Sequence, residues 1–211
     1  MRGPSVDALR DENRHSMDRH EILAWRKKKR DALIAARMAL PAESHAAADA
    51  AIERRLEACF EEIEPGLVGA YWPFRREFNG LGFLDRLMAR GFTVALPVVL
   101  GKAQPLEFRA WTRAMKLASG VYDIPYPAEG EPVQPAILIV PLVGFDDDGY
   151  RLGYGGGFYD RTLEVMAPRP FCLGVGFELG HLPTIHPLPH DIAMNGIVTE
   201  QAFYHSGLAE A

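Results

Sequence analysis

The sequence predicts an α/β protein, a three-layer α/β/α, Rossmann-like domain in which helices flank a mostly parallel sheet. Apolar runs typical of buried strands alternate along the chain with stretches whose apolar residues recur at helical spacing. The most apolar run, AILIVPLVGF at 136–145, suits a central strand covered on both faces. At 211 residues and without an internal repeat, the chain fits one domain over 21–211, after a polar, poorly ordered arm over 1–20.

The individual elements follow from the spacing of apolar residues and from the Pro and Gly residues that interrupt it. Helices are predicted over 21–40, 43–63, 79–91 and 157–166, with Asn79 able to cap the third. Strands are predicted over 67–74, 93–100, 106–111, 136–145, 171–177 and 196–200. The proline-rich segment YDIPYPAEGEPVQP is interpreted as an irregular connection.

Composition narrows the class of protein. A net charge of −5 argues against a general nucleic-acid binder but leaves room for a local anion site. Cys59 and Cys172 form neither a disulfide framework nor a CxxC metal site, which favours a reducing compartment. The N-terminus lacks the apolar core of a signal peptide, and no run approaches the roughly 18 apolar residues of a membrane span. A cytoplasmic protein is therefore expected.

The stretch RLGYGGGFYDRTL at 151–163 is the main candidate for a binding site. It follows the strongest strand and opens a helix, where glycines let backbone N–H groups approach an anion, and Arg151 adds a planar cationic donor. Phosphate is the expected ligand. The pattern is neither GxxxxGK[ST] nor GxGxxG, because Phe158 stands at the third glycine of the latter. A tight glycine turn that serves only packing remains open.

A stripe of arginines marks the first predicted helix. Arg26, Arg30 and Arg37 recur with Leu33 at i, i+4, i+7 and i+11 and so share one side of the helix. Three arginines on one stripe repel one another unless an anion faces them, either a polyphosphate or a protein carboxylate. A merely solvated basic face remains the alternative.

Two segments, one rich in Asp and one rich in His, give weaker evidence for a metal site. Consecutive carboxylates at 146–148 diverge, which is typical of a solvated turn rather than a metal loop. His186 and His190 have the spacing of a helical zinc pair, but the neighbouring prolines break such a helix. Asp191 is either a turn residue or a ligand for a hard cation beside a phosphate.

The segment VPLVGFDDDGYRLGYGGGFYDRTL at 140–163 resembles the signature of the 5-formyltetrahydrofolate cyclo-ligases, also called methenyltetrahydrofolate synthetases. The similarity continues in order over about 25–200 and includes the basic first helix, YWPFRREF, VALPVVL, LEFRAW, YDIPYP and LGVGF…HD…VTE. It implies ATP- and Mg²⁺-dependent conversion of 5-formyltetrahydrofolate to 5,10-methenyltetrahydrofolate through a phosphorylated formyl group, an imidate phosphate, with release of ADP and phosphate. The implied partners are these two substrates, with no nucleic acid and no membrane, and a monomer is expected with a dimer as the alternative.

The resemblance also implies roles for residues. It implies ATP binding at Arg26, Lys27, Arg30, Arg151, Gly153, Tyr154, Gly155, Gly156, Gly157, Phe158 and Tyr159. It implies folate binding at Trp72, Glu77, Tyr154, Gly155, Gly156, Gly157 and Phe158. Arg151 and Tyr154 are the expected catalytic residues, and Asp160 and Asp191 the expected Mg²⁺ ligands. Two positions depart from the pattern, since Gly156 is lysine in some relatives and Asn195 stands where aspartate is frequent.

Three other functions remain open. The chain could keep ATP but act on another acceptor, or bind a nucleotide as a regulator without catalysis. A basic-helix RNA binder is disfavoured by the acidic net charge. The combination of Glu77, Asp160 and Asp191 favours catalysis, because a binder does not need the acidic pair.

Overall fold

The computed structural model describes residues 17–206 of the chain. Its helices are α1 (Arg19–Ala39), α2 (Ala42–Phe60), α3 (Leu81–Ala89) and α4 (Phe158–Val165). The longer strands are β1 (Leu67–Gly69), β2 (Thr93–Val99), β3 (Leu106–Trp111), β7 (Ile137–Pro141), β10 (Phe171–Val175), β11 (Gly196–Val198) and β12 (Phe203–His205). The short strands are β4 (Leu117–Ser119), β5 (Pro125–Pro127), β6 (Pro132–Val133), β8 (Gly144–Phe145) and β9 (Arg151–Leu152).

Eight strands form the central sheet in the order β12-β11-β10-β7-β1-β2-β3-β6. The run from β11 to β2 pairs in parallel, and antiparallel strands extend the sheet at both edges. The strand at 137–141 lies in the middle, as its fully apolar sequence predicts. The predicted α/β fold with a mostly parallel sheet flanked by helices is confirmed.

Helices cover both faces of this sheet. On one face α2 and α3 bury Ile52, Phe60 and Leu87 against the strands. On the other face Leu163 of α4 packs with Leu138 and other strand residues. The first helix covers neither face centrally, because Trp25 and Leu33 of α1 pack on Leu152, Leu182 and Ile185. Leu152 belongs to β9, which comes after β7 in the chain, and Leu182 and Ile185 come after β10, so α1 lies beside the segments that follow the carboxyl ends of β7 and β10.

The N-terminus of α1 is defined by a local sequence motif. Asp18 accepts a hydrogen bond from the Glu21 amide, and the Glu21 side chain accepts one from the Asp18 amide, which completes a capping box. Helix α1 therefore begins within the segment 1–20 that is predicted to be a poorly ordered arm. Residues 1–16 of that segment lie outside the described residues. In the described part of the chain no helix is long and apolar enough to cross a membrane.

Several predicted boundaries are wrong, most of them where short strands or turns are involved; the second helix also ends at Phe60 rather than at residue 63. The predicted strand over 67–74 ends at Gly69, and the predicted strand over 136–145 splits into β7 and β8, which pairs with β9 in a separate hairpin. The proline-rich connection contains β5 and β6, and β12 was not predicted. Such strands span two or three residues, too few for an apolar period, and Pro is tolerated at sheet edges. Gly80, rather than Asn79, is the N-cap of α3.

Candidate active site

The glycine loop over 153–157 joins the β8–β9 hairpin to α4. Gly155 and Gly157 have φ of +89° and +62°, a left-handed region that side chains disfavour, so the turn requires glycine at both positions. Gly157 is also the N-cap of α4, and no described side chain caps that helix. The first amides of α4 are therefore free to bind an anion.

Arg30 reaches this loop directly from α1. Its Nε donates to the Gly153 carbonyl at 2.6 Å, and its guanidinium lies 3.2–3.4 Å from where a Cβ on Gly155 would stand. Lys27 points away from the loop: its Nζ pairs with Asp31 at 2.9 Å, and its side chain is 76% exposed. The structure thus brings Arg30 to the predicted phosphate site and leaves Lys27 on the solvent side of the helix.

Arg26 is buried and engaged on the other side of the site. It donates to the carbonyls of Ile185 and His186 at 3.0 and 2.8 Å and pairs with Asp191 at 2.5 Å. Burial by itself would raise the pKa of Asp191, but hydrogen bonds from Arg26 and the Leu188 amide outweigh it and lower that pKa. The predicted phosphate ligand and the predicted metal ligand therefore neutralise each other in this structure.

A second buried pair lies directly behind the loop. Arg151 donates to Asp160 at 3.0 Å and to the Ile192 carbonyl at 2.9 Å, while Asp160 accepts from the Ile192 amide at 3.2 Å. Asp191 belongs to the first ion pair, and its chain neighbour Ile192 contacts both members of the second, so residues 191–192 connect the two pairs.

Asp160 and Asp191 supply too few oxygen ligands to hold a metal ion alone, so they fit an ion whose other ligands come from a substrate. Mg²⁺ commonly binds one or two carboxylates together with substrate phosphates and water. Between residues 17 and 206 no group of three or more His, Cys, Asp or Glu could hold a metal. Asp160 has its Oδ1 engaged by Arg151 and Ile192, whereas both oxygens of Asp191 accept hydrogen bonds from Arg26.

Glu77 is the most unusual acid of the site. Its side chain lies in the loop after β1 and is 5% exposed; Oε2 accepts from the Phe74 amide at 2.9 Å, and Oε1 is buried without a partner among the described residues. Burial raises the pKa of Glu77 to about 7, against the lowering effects of the Phe74 amide, the charge of Arg37 and the Tyr154 hydroxyl. The pKa of Glu77 therefore lies close to neutral pH, and its Oε1 is available to accept a hydrogen bond.

Arg37 links Glu77 to the glycine loop and was missing from the predicted site residues. It is 3% exposed, its Nη2 donates to the Tyr154 hydroxyl, and its Nε donates to the Arg75 carbonyl at 3.1 Å. Arg75 and Arg76 both have left-handed backbones, with φ of 47° and 56°, so the loop that carries Glu77 is strained. The signal for Arg37 was its place at i+11 on the arginine stripe.

Aromatic residues form the wall beside Glu77. Phe74 lies 5.7 Å from the Tyr154 ring and 6.0 Å from the Tyr122 ring, measured between centroids. Trp72 packs edge-on against Trp111 at 6.0 Å and shares with Glu77 the loop after β1. Tyr154 is thus the residue that belongs both to the glycine loop and to this wall.

Two further residues of the predicted loop, Phe158 and Tyr159, make packing contacts in this structure. The Tyr159 ring packs into the core beneath the loop, and burial raises the pKa of its hydroxyl. Phe158 lies under the guanidinium of Arg161, 5.3 Å from ring centre to Cζ. Arg161, on the first turn of α4, was not among the predicted residues, and its hydrogen bond to the Gly156 carbonyl places it on the loop.

Known proteins share this sequence and fold. The profile of the 5-formyltetrahydrofolate cyclo-ligase family matches residues 22–200. A 5-formyltetrahydrofolate cyclo-ligase of Mycolicibacterium smegmatis is 33% identical over 146 residues, which are 65% of this chain and 75% of the relative. The cyclo-ligase of Escherichia coli K12 is 71% identical over 28 residues, 13% of this chain and 15% of its own length.

Solved structures agree with the fold. The 5,10-methenyltetrahydrofolate synthetase of Aquifex aeolicus aligns with a TM-score of 0.76 and 24% identity, over 88% of this chain and 95% of that chain. The synthetase of Mycoplasma pneumoniae aligns with a TM-score of 0.70 and 21% identity, over 83% and 98%. Fold and profile together define an enzyme of the ligase class. More particularly, the chain belongs to the 5-formyltetrahydrofolate cyclo-ligase family.

Proposed function

We propose that this protein converts 5-formyltetrahydrofolate to 5,10-methenyltetrahydrofolate and consumes ATP in doing so. Membership of the cyclo-ligase family supports the folate reaction. The observation that carries the ATP requirement is the glycine loop, where Arg30 lies against glycines that open α4. Backbone amides at a helix N-terminus, backed by a guanidinium, are suited to a phosphate chain.

The chemistry explains why ATP is needed. A formamide oxygen is a poor leaving group. When the formyl oxygen attacks the γ-phosphorus, ADP leaves and an imidate phosphate forms. N10 then attacks the formyl carbon, the C–O bond breaks, and the ring closes; phosphate leaves with the formyl oxygen and takes up the proton that N10 loses. Positioning and neutralisation of phosphate charge supply most of the catalysis in such transfers.

The residues divide between the two substrates. Arg30, the loop glycines and the α4 amides bind the phosphates, with Arg26 next to them on α1. Glu77 accepts hydrogen bonds from the pterin ring, because its free carboxylate oxygen is buried beside the aromatic wall. Tyr154 and Arg151 are the proposed catalytic residues, since Tyr154 belongs to the glycine loop and contacts Phe74 of the aromatic wall, and Arg151 holds Asp160 at the loop.

A divalent cation completes the proposal. Asp160 and Asp191 are the residues that would hold Mg²⁺ at the phosphates, and the ion would neutralise charge on the transferring group. The carboxylates have the oxygen chemistry that Mg²⁺ prefers, and their small number suits an ion that arrives with its nucleotide.

An absorbance assay tests the proposed reaction. Purified protein with Mg-ATP and 5-formyltetrahydrofolate should accumulate the absorbance of methenyltetrahydrofolate and release ADP in equal amounts. ADP release without folate product would favour another acceptor, and nucleotide binding without either product would favour a regulator. Both results would contradict the proposal.

A pair of α1 variants tests the phosphate side. Arg30→Ala should raise the KM for ATP by about tenfold, since it removes a charged donor from the loop. Lys28→Ala, an exposed change on the same helix, is the control and should leave both KM values unaltered. An effect of Arg30→Ala on folate affinity alone would contradict the assignment.

A further inference from the structure

Arg161 touches the glycine loop from the side of α4. Its Nη2 donates to the Gly156 carbonyl at 2.6 Å, and its Nη1 lies 2.8 Å from where a Cβ on Gly157 would stand. Its Nε is buried and has no hydrogen-bond partner in residues 17–206. None of the ion pairs between described residues includes Arg161. The loop thus has an uncompensated cation on this flank.

Arg30 makes the matching contact on the opposite end of the loop. Its Nε donates to the Gly153 carbonyl, so two guanidiniums hold two loop carbonyls three residues apart in sequence. The surrounding peptide bonds are trans, and in a planar trans peptide the C=O and the N–H point in opposite directions. Holding the carbonyls of Gly153 and Gly156 therefore turns the amides of Tyr154 and Gly157 away from the two arginines.

These two amides have no acceptor in the described part of the chain. Neither the Tyr154 nor the Gly157 N–H donates to another described residue. An unpaired amide at a helix N-cap is a ready anion donor, and its usefulness depends on a constant orientation. A glycine-rich loop does not supply that constancy by itself, because glycine leaves its backbone free to rotate.

We propose that Arg161 is a positioning residue for nucleotide phosphate. It holds the Gly156 carbonyl so that the Gly157 amide stays turned toward the phosphate, and it adds an unpaired positive charge to the loop. Arg30 does the same for the Tyr154 amide, so the loop is held at both ends. This inference rests on the proposed use of ATP and concerns a residue outside the predicted set.

Nucleotide titration of three variants tests this role. Arg161→Ala should raise the Kd for ADP by about tenfold, as expected for a lost charge-assisted contact, and should leave the Kd for 5-formyltetrahydrofolate within twofold. Arg161→Lys, which keeps the charge and a donor for the carbonyl, should recover most of the affinity. Arg54→Ala, an exposed change on α2, is the matched control and should bind both ligands like the unaltered protein.

The possible outcomes separate this inference from the function on which it rests. If the unaltered protein binds no ADP, the proposed use of ATP fails and the role of Arg161 fails with it. If the unaltered protein binds ADP and Arg161→Ala binds it equally well, only the role of Arg161 is overturned. If Arg161→Ala weakens the binding of both ligands equally and also lowers the Tm, the side chain has a purely structural role, and the proposed role of Arg161 is overturned.

Discussion

Arg37 donates a hydrogen bond of 2.5 Å from Nη2 to the hydroxyl of Tyr154 and so joins the end of α1 to the glycine loop. The same guanidinium donates to the Arg75 carbonyl in the strained loop that carries Glu77. One buried cation therefore holds both sides of the proposed folate site, although it belongs to neither loop.

Replacing Arg37 should uncouple the folate side from the nucleotide side. Arg37→Ala frees Tyr154 and Arg75, and it removes a charge that lowers the pKa of Glu77. We expect kcat/KM for 5-formyltetrahydrofolate to fall by about ten- to a hundredfold, with the ADP Kd within twofold. Steady-state kinetics and ADP titration measure the two effects. Arg169→Ala, an exposed arginine, is the control, and an equal loss for both ligands would contradict the assignment.

Glu77 should make stability depend on pH. Because burial raises the pKa of this carboxyl from 4.5 to about 7, the native protein holds its proton more tightly than the unfolded chain does. The resulting contribution to the free energy of unfolding is full below about pH 4.5 and is lost as pH rises through about 7. Relative to Glu77→Gln, the unaltered protein should lose about 2–3 kcal/mol across that window. Urea unfolding of both proteins at pH 5 and pH 8 measures the difference, and parallel curves would exclude a raised pKa.

Asp160 should be needed for turnover rather than for folding. Asp160→Asn keeps an oxygen that can accept from Arg151 and the Ile192 amide, so the helix start should stay in place. It removes the carboxylate charge, and kcat should fall by about a hundredfold or more. Activity at increasing Mg²⁺ and a thermal melt separate the two properties. Retained turnover would refute the proposed metal role.

Two loop glycines offer a matched pair of variants. Gly157→Ala places a Cβ at a φ of +62° and 2.8 Å from Arg161, so it should cost about 1–2 kcal/mol of stability and weaken ADP binding. Gly153→Ala should be tolerated, because nothing lies within 4 Å of its Cβ position and its φ is not left-handed. Thermal melts and ADP titration of both variants test this contrast, and similar behaviour of the pair would contradict it.

The sequence predicted those elements whose residue pattern is recognisable within a short stretch of chain. The helix predicted over 21–40 forms over Arg19–Ala39, the apolar run predicted as a central strand supplies β7 in the middle of the sheet, and the glycine loop precedes α4 as predicted. The arginine stripe of α1 is also a local property, since residues four and seven apart share one side of a helix. Short edge strands such as β6 and β12 were not predicted, because they are defined by their pairing with neighbouring strands and not by a periodic pattern of apolar residues.

The sequence by itself determined an α/β fold with a glycine loop at a helix start and a row of arginines able to face it. Only the tertiary structure decided how those groups are used. The Arg26–Asp191 pair joins residues 165 positions apart, and the raised pKa of Glu77 comes from burial by distant side chains. Periodicity reports which side of an element a residue occupies, whereas ion pairing, burial and the orientation of loop amides depend on what the folded chain places opposite it.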